Sequence, residues 1–397
     1  MRSSMLRMPP TPWHRSKTIG YYAAFVGLGM ASAVLGPTLP GLAAQVGVTI
    51  GQIGLLFTVN ALGYIVGTLA MGRLYDQMRG HTLMALTLAG MGFALLAVPF
   101  IPWLALLVVV VFMWGLTDAG VDVGGNTLIL WQHGDRVEPF MNGLHFAFGA
   151  GAFLSPLIIA QVLVWTDDIT GAYAALALVF WGCMLWLGRL PSPTPRDPDD
   201  EAATAGRPAP DVPLVFLLAL LLALYVGAEV GMGGWIFTYA VQGDLLNERD
   251  AAYLTSAFWG ALTLGRLLSI PVTARVRPWV ILLVDLIGIL LGLLWLGLVR
   301  ETWAVWLGVI LVGFSMATLF PTVLNFAEKR MRVTGRVTSY FFFGAGVGGM
   351  LLPSLIGLLI ERFGVDTMMW ALGANMLLGM VVFGAAMYRA ARLAPAA

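Results

Sequence analysis

The stretch Trp114–Pro156, WGLTDAGVDVGGNTLILWQHGDRVEPFMNGLHFAFGAGAFLSP, decides the class of this protein. It reads as two apolar helices, each long enough to cross a membrane, joined by a short polar turn. The first helix carries two carboxylates, Asp118 and Asp122, inside an otherwise apolar run. An ionised carboxylate at the centre of a bilayer costs roughly 2.5–3.5 kcal/mol. The two acids therefore indicate a partner or a transport pathway.

Asn126 continues the spacing of four residues set by Asp118 and Asp122, so the three side chains share one face of the helix. Successive members lie about 6 Å apart along the helix axis. Such a stripe suits a cation, because hard cations prefer oxygen ligands, or a hydroxyl-rich solute. We predict a transporter in which Asp122 and Asp118 couple the ion and Asn126 contacts the substrate. These residues do not distinguish H⁺ from Na⁺ as the coupling ion. If the ion is sodium, Asp118 and Asp122 are its candidate site.

Composition places the chain in a membrane. It is 59% hydrophobic and 11% charged, whereas soluble domains carry about 25% charged residues. The net charge of +1 argues against a nucleic-acid partner, which would require a concentrated basic face. The sequence has no cofactor motif, no metal cluster and no nucleophile–base pair at membrane depth. We therefore predict that the protein is not an enzyme and uses no cofactor.

Twelve apolar runs follow one another, six on each side of a segment rich in proline and acid over 191–213. That segment lacks apolar periodicity and is predicted to be a disordered cytoplasmic linker. The first run is longer than the core of a signal peptide, so we expect it to be retained. The predicted organisation is a cytoplasmic arm over 1–17, a six-helix bundle over 18–190, the linker, a second bundle over 214–388 and a cytoplasmic tail over 389–397.

The basic residues predict the orientation. With both termini and the linker in the cytoplasm, only Arg249, Arg300 and Arg362 of the 22 lysines and arginines fall outside. The positive-inside rule favours this arrangement. We expect a multi-pass protein of the cell (inner) membrane, monomeric in the lipid bilayer, with both termini cytoplasmic.

The two halves of the sequence resemble each other. GTLAMGRLYD at Gly67–Asp76 recurs as GALTLGRLLS at Gly260–Ser269, and FGAG at Phe148–Gly151 recurs at Phe343–Gly346. Both matches join corresponding runs of the two halves. This predicts two pseudo-symmetric six-helix bundles, the arrangement of transporters that rock around a site near the midplane.

The stretch Gly72–His81, GRLYDQMRGH, resembles the loop between helices two and three of the major facilitator superfamily. Gly72, Asp76 and Arg79 fit its pattern, although the second glycine comes one place late. The resemblance implies an all-α fold of twelve transmembrane helices in two bundles. It also implies a gating loop at Gly72, Asp76 and Arg79, with Arg266 as the counterpart in the second half.

Four longer stretches are similar to the sodium-dependent glucose transporter 1-like group and its relatives, the fucose–proton symporters. They are Gly120–Trp131, Asn142–Phe153, Tyr225–Val241 and Ala251–Pro271, which look like helices four, five, seven and eight of that group.

This resemblance implies cation-coupled uptake of a sugar. Asp122 falls where the group places an acid in helix four, and His145 falls where the fucose symporters have a polar sugar contact. The first helix departs from the fucose symporters, since it carries no acid between Thr18 and Ala44. Proton coupling here could not use a group on the first helix.

Further candidates lie in other runs. Glu229 stands among four glycines that weaken its helix, and we predict it as a third coupling group. It could instead hold the two bundles together. Sugar sites combine flat apolar rings with a few hydrogen-bonding groups, and the candidates for substrate binding are Asn60, Asn126, His145, Trp235, Trp259 and Asn325. Asp285, seven residues past Arg277, is expected to pair with the basic cytoplasmic edge.

The predicted function is secondary active transport by alternating access, in the form of symport of a sugar with H⁺ or Na⁺. The alternative is a proton-coupled exporter or flippase of drugs or lipid-linked glycans on the same fold. That alternative would favour a larger apolar cavity and an opening between helices towards lipid.

Overall fold

A computed structural model describes residues 12–166, 168–194, 209–333 and 335–393, and this part of the chain contains helices and no strand. Eleven of its helical segments are long and apolar enough to cross a membrane. A further helix, Glu248–Thr273, has 26 residues but is more polar, with Glu248, Arg249 and Asp250 in its first turn. The predicted all-α transmembrane fold is confirmed.

The helices follow the predicted runs, two of which are divided. They are α1 (Pro12–Val46), α2 (Ile50–Ile53), α3 (Leu55–Gln77), α4 (Gly80–Ala97), α5 (Leu104–His133), α6 (Glu138–Thr166), α7 (Thr170–Leu187), α8 (Val212–Gln242), α9 (Glu248–Thr273), α10 (Pro278–Leu298), α11 (Thr302–Met316), α12 (Leu319–Arg330), α13 (Gly335–Phe363) and α14 (Thr367–Leu393). The second run is divided into α2 and α3, and the tenth into α11 and α12. Much of the predicted arm and linker lies outside the described residues, and α14 extends to Leu393 within the predicted tail.

The two halves pack in the same way. In the first half α1 contacts α6, α3 contacts α5, and α4 contacts α7. In the second half the corresponding pairs are α8 with α13, α9 with α11, and α10 with α14. This confirms the two pseudo-symmetric bundles. The halves meet through α1 and α8, α3 and α13, and α6 and α9.

Close packing between α3 and α5 depends on glycine. A Cβ atom at Gly115 of α5 would overlap the backbone oxygen of Asn60 in α3, and one at Gly63 of α3 would overlap the oxygen of Phe112 in α5. Small residues allow membrane helices to approach in this way. The approach brings the polar side chains of α3 next to the carboxylates of α5.

Hydrogen bonds join the halves at the end where α1, α8 and α13 finish, which we call the closed end. Thr49 Oγ1 donates to Glu361 Oε2 at 2.9 Å, and Ser354 Oγ donates to the backbone oxygen of Gly54 at 2.9 Å. Thr58 Oγ1 donates to the backbone oxygen of Met350 at 2.9 Å. These bonds fix α2 and α3 of the first half against α13 of the second.

Trp235 forms the packed core of the closed end. Its side chain is fully buried, its Nε1–H donates to the backbone oxygen of Pro353 at 2.7 Å, and its ring lies 5.8 Å from that of Phe57. Beside it, a Cβ atom at Gly36 of α1 would lie 2.8 Å from the backbone oxygen of Gly233 in α8. The backbones of α1 and α8 are therefore in direct contact at this end.

Candidate functional site: a carboxylate cluster and an arginine cluster

Asp122 lies at the centre of a polar cluster in the first half. The hydroxyl of Tyr64 in α3 donates to Asp122 Oδ2 at 2.5 Å. Asn126 Nδ2, one turn along α5, donates to Asp122 Oδ1 at 3.0 Å and to the backbone oxygen of Asp122 at 2.9 Å. Both carboxylate oxygens thus accept hydrogen bonds from neutral donors.

Asp118 stands one turn before Asp122, and its carboxylate interacts electrostatically with Asp122 and with Tyr64. Tyr64, Asp118, Asp122 and Asn126 are called the carboxylate cluster below. Among the described residues, no lysine or arginine lies within ion-pair distance of either acid. Two adjacent carboxylates without a basic partner raise each other's affinity for a positive charge. The cluster can therefore take up a proton or a small cation.

His145 links this cluster to the second half. It lies in α6 with its ring at 6.2 Å from that of Phe25, in edge-to-face contact. It interacts electrostatically with both Asp122 and Arg266. The structure thus brings together the predicted residues Asp122 and His145.

A second group, called the arginine cluster, consists of Tyr225, Glu229 and Arg266. Arg266 Nη2 lies 3.7 Å from Glu229 Oε1, and Arg266 Nε donates to the backbone oxygen of Ala317 at 3.3 Å. The Tyr225 hydroxyl donates to the backbone oxygen of Met316 at 2.9 Å. Arg266 lies inside α9, which continues to Thr273, and not in a loop.

Two predicted substrate residues carry buried donors without partners. Asn60 Nδ2 and Trp259 Nε1 have no hydrogen-bond partner in the described part of the chain. The Trp259 side chain is 6% exposed and packs on α8 at Gly233. A buried donor left unpaired costs about 1–3 kcal/mol. Among the described residues, each N–H therefore lacks an acceptor in this conformation.

The other predicted site residues lie apart from the two clusters. Trp235 is enclosed at the closed end with its N–H already bonded, so contact with a substrate would require this end to open. Asn325 lies in α12, two turns beyond Thr318. The predicted gating residues are surface-exposed, with Gly72 and Asp76 near the end of α3 and Arg79 in the turn before α4.

The two tyrosines of the clusters, Tyr64 and Tyr225, were not among the predicted site residues. Tyr64 follows Asn60 by four residues and shares its helical face, so the spacing used for Asp118 and Asp122 could have indicated it. Tyr225 stands four residues before Glu229 in the same relation. Both are phenols in apolar runs, where an aromatic ring is usually a packing residue.

Comparisons with known proteins identify the family. Residues 21–351 match the model of the Major Facilitator Superfamily. The chain is 30% identical to the sodium-dependent glucose transporter 1 of Homo sapiens over 86% of this chain and 73% of that protein. It is 32% identical to the protein of the same name from Danio rerio, over 88% of this chain and 65% of that protein.

Solved structures share the fold. The nucleoside transporter NupG matches with a TM-score of 0.74 at 13% identity, over 95% of this chain and 99% of its own. A bacterial homolog of the human lysosomal transporter Spinster, in an inward-facing and occupied conformation, matches with a TM-score of 0.71 at 13% identity, over 97% of both chains. The family model, the relatives and the fold agree: this chain is a multi-pass transporter that belongs to the Major Facilitator Superfamily.

Proposed function

We propose that the protein is a cation-coupled sugar symporter that works by alternating access. The carboxylate cluster carries this proposal. Asp122 accepts bonds from Tyr64 and Asn126 and stands one turn from Asp118, with no basic partner within ion-pair distance in the described residues. Carboxylates that occur inside membrane segments commonly mark an ion or proton pathway. Binding of H⁺ or Na⁺ would remove the unbalanced charge.

The sugar assignment rests on the relatives and on the unpaired donors. Two relatives of about 30% identity are named sodium-dependent glucose transporter 1. Asn60 and Trp259 offer N–H groups to hydroxyl oxygens, and Trp259 adds a flat apolar ring. His145, between the clusters, would complete a site with contributions from both halves. Such a combination of rings and polar groups suits a sugar.

Coupling would follow from charge. With the cluster empty, the charge on Asp122 and Asp118 opposes the movement that carries the site across the membrane. With a cation bound, the loaded carrier reorients and releases both solutes. Glu229 and Arg266 lie opposite on the second half, where their ion pair can respond to the charge of the first half through His145.

The positive-inside rule orients this cycle. Both termini would be cytoplasmic in the cell (inner) membrane, so the closed end would face outwards and the structure would represent an inward-facing state. Each chain supplies both halves of the site, which supports function as a monomer. Transport of this kind requires no enzymatic step.

The test is uptake of glucose and of fucose into proteoliposomes that contain the purified full-length protein. An inward Na⁺ gradient and an inward H⁺ gradient are imposed separately. We expect accumulation of a sugar under one gradient, and loss of that accumulation in Asp122→Asn. The matched control is Asp366→Asn, which removes an exposed carboxylate paired with Arg300.

Two results together would reject the sugar proposal. They are the absence of accumulation under either gradient and the absence of any effect of sugars on the thermal stability of the protein. The exporter or flippase alternative would then take its place.

A further inference from the structure

An apolar groove lies between the first turns of α8 and α13, with Val212, Phe216, Phe343 and Val347 among its walls. We call it the α8–α13 groove. Its volume is about 770 Å³, within the range of about 300–1,000 Å³ that is typical of sites for small molecules. Phe216 and Phe343 are 65% and 62% exposed. Contiguous apolar surface of this kind marks a site for an apolar ligand or a membrane component.

One end of the groove is polar. Of the side chains that line it, only those of Arg336 and Tyr340 are polar, and Arg336 is the second residue of α13. Helices α8 and α13 both finish at the closed end, so their first turns, and Arg336 with them, lie at the opposite surface of the membrane. The positive-inside rule makes this surface the cytoplasmic one.

The polar end carries a positive charge that the described residues do not balance. Arg336 Nε donates to the Tyr340 hydroxyl at 3.1 Å, and no carboxylate in the described part of the chain lies within ion-pair distance of Arg336. Asp211, directly before α8, already accepts two hydrogen bonds from Arg389. An anion would therefore be attracted to Arg336.

The sequence before α13 adds to this charge. Four basic residues occur within eight positions, and Glu328 alone opposes them there: Lys329, Arg330, Arg332 and Arg336. The expected pairing of Asp285 with the basic cytoplasmic edge is wrong, since Asp285 accepts from Thr318 and the described residues place no lysine or arginine within ion-pair distance of it. Basic clusters at the cytoplasmic end of membrane helices attract anionic lipids.

We propose that the α8–α13 groove binds an anionic phospholipid of the cytoplasmic leaflet. An acyl chain lies along the apolar walls formed by residues such as Phe216 and Phe343, and the phosphate accepts hydrogen bonds from the guanidinium of Arg336. Arginine donates strong, charge-assisted hydrogen bonds to phosphate. The groove thus presents hydrocarbon and positive charge in the order in which a phospholipid presents its chain and its headgroup.

The lipid would be a resident ligand and not a transported substrate. All the described residues that line the groove belong to α8, to α13 or to the turn before α8 at Pro210, which places the groove in the second half alone. Alternating access moves a substrate that is held between the two halves. The inference therefore goes beyond the proposed symport and does not favour the flippase alternative.

The experiment measures lipid binding to the purified full-length protein by native mass spectrometry. We expect phosphatidylglycerol to bind at least about tenfold more tightly than phosphatidylcholine with the same acyl chains. Glycerol 3-phosphate, which has the phosphate but no chain, should not displace the lipid. Arg336→Gln should weaken binding of phosphatidylglycerol about tenfold, the effect of losing one charge-assisted hydrogen bond. The matched control is Arg275→Gln, which removes an exposed positive charge outside the groove.

A second variant tests the apolar part of the groove while Arg336 stays in place. Val347→Trp fills part of the volume, and exclusion of two methylene groups of the chain should weaken phosphatidylglycerol about tenfold. Val347→Ala leaves the groove open and should bind the lipid like the unaltered protein. Both measurements are independent of sugar uptake, so their failure is distinct from failure of the symport proposal.

Four results would each overturn the proposal. Phosphatidylcholine could bind as tightly as phosphatidylglycerol, or glycerol 3-phosphate could displace the lipid. Arg336→Gln could bind phosphatidylglycerol as tightly as Arg275→Gln, or Val347→Trp as tightly as Val347→Ala. Failure of phosphatidylglycerol to bind at all would also overturn it and would leave the groove to another occupant, such as the chain segment before Pro210.

Discussion

The Tyr64 hydroxyl and the Asp122 carboxylate are 2.5 Å apart, and their hydrogen bond joins α3 to α5 inside the first half. Close packing at Gly63 and Gly115 makes this distance attainable. Asn126 holds the second oxygen of the same carboxylate. Asp122 is therefore oriented by two neutral donors before any ion arrives, and this preorganisation makes it the centre of the proposed coupling site.

Tyr64→Phe should strengthen binding of the coupling cation without unfolding the protein. The substitution keeps the ring and removes only the donor to Asp122. The bond stabilises the empty, charged carboxylate and competes with the cation for it. Since hydrogen bonds to charged groups contribute about 1.5–3 kcal/mol, the half-saturating cation concentration for uptake should fall about 10- to 150-fold. Tyr22→Phe, which removes a bond to the backbone oxygen of Phe140 in the same half, is the control. Equal cation dependence in the two variants would contradict this role for Tyr64.

Trp259→Phe should weaken sugar binding specifically. It keeps an aromatic ring and removes the buried N–H that has no partner in the described chain. A neutral hydrogen bond contributes about 0.5–1.5 kcal/mol, so KM for the sugar should rise about 3- to 10-fold while the maximal rate stays close to that of the unaltered protein. Trp303→Phe, at an exposed position, should change neither value. A fall in maximal rate at unchanged KM would place Trp259 outside the binding site.

We expect the closed end to open during transport. The hydroxyl oxygens of Thr58 and Ser354 lie 2.6 Å apart across the two halves, so cysteines at both positions should form a disulfide under oxidation. The native cysteine, Cys183, is first replaced by serine. In this background the Thr58→Cys/Ser354→Cys variant should lose uptake on oxidation and regain it on reduction, while each single variant is unaffected. Full uptake by the crosslinked protein would show that the closed end does not move.

Asp211, at the start of α8, should make the stability of the folded protein depend on pH. It accepts hydrogen bonds from Arg389 at 3.0 and 2.7 Å, and these bonds hold the pKa of Asp211 below its usual value. A carboxylate with a lowered pKa in the folded state stabilises the protein above its unfolded pKa, near 3.9. That contribution is lost as the pH falls through the folded value.

Asp211→Asn keeps a residue able to cap α8 and removes the charge. Its Tm should lie below that of the unaltered protein at pH 7, and the difference should disappear as the pH falls below about 3.9. Thermal unfolding of both proteins between pH 7 and pH 3 measures this. A difference in Tm that is the same at all pH values would assign the effect to capping and not to the ion pair.

The fold could be predicted because each helix had to satisfy its own backbone in lipid. Long apolar runs have few alternatives to a helix at membrane depth, and the repeated GRL and FGAG motifs related the two halves. The break at Ala317–Thr318 could not be predicted in this way. An apolar run does not reveal it, but Pro321 marks it, because proline has no N–H to donate to the carbonyl of Ala317 four residues earlier. That carbonyl accepts a hydrogen bond from Arg266 of α9 instead, a contact that depends on tertiary packing.

The site was predictable where its residues share one helix. Asp118, Asp122 and Asn126 are related by a spacing of four, and the structure places Asn126 on Asp122 as that spacing requires. Contacts between helices were not available to this reasoning. The bond from Tyr64 to Asp122, the enclosure of Trp235 and the pairing of Asp285 with Thr318 each depend on tertiary packing.

The most direct test of the coupling role of Asp122 compares two modes of transport in Asp122→Asn. Asparagine resembles the carboxylate neutralised by its ion, so the variant should exchange sugar across the proteoliposome membrane at a rate close to that of the unaltered protein. It should fail to accumulate sugar under the Na⁺ or H⁺ gradient that drives the unaltered protein. Accumulation by Asp122→Asn at the unaltered level would contradict the assignment of Asp122 as the coupling group.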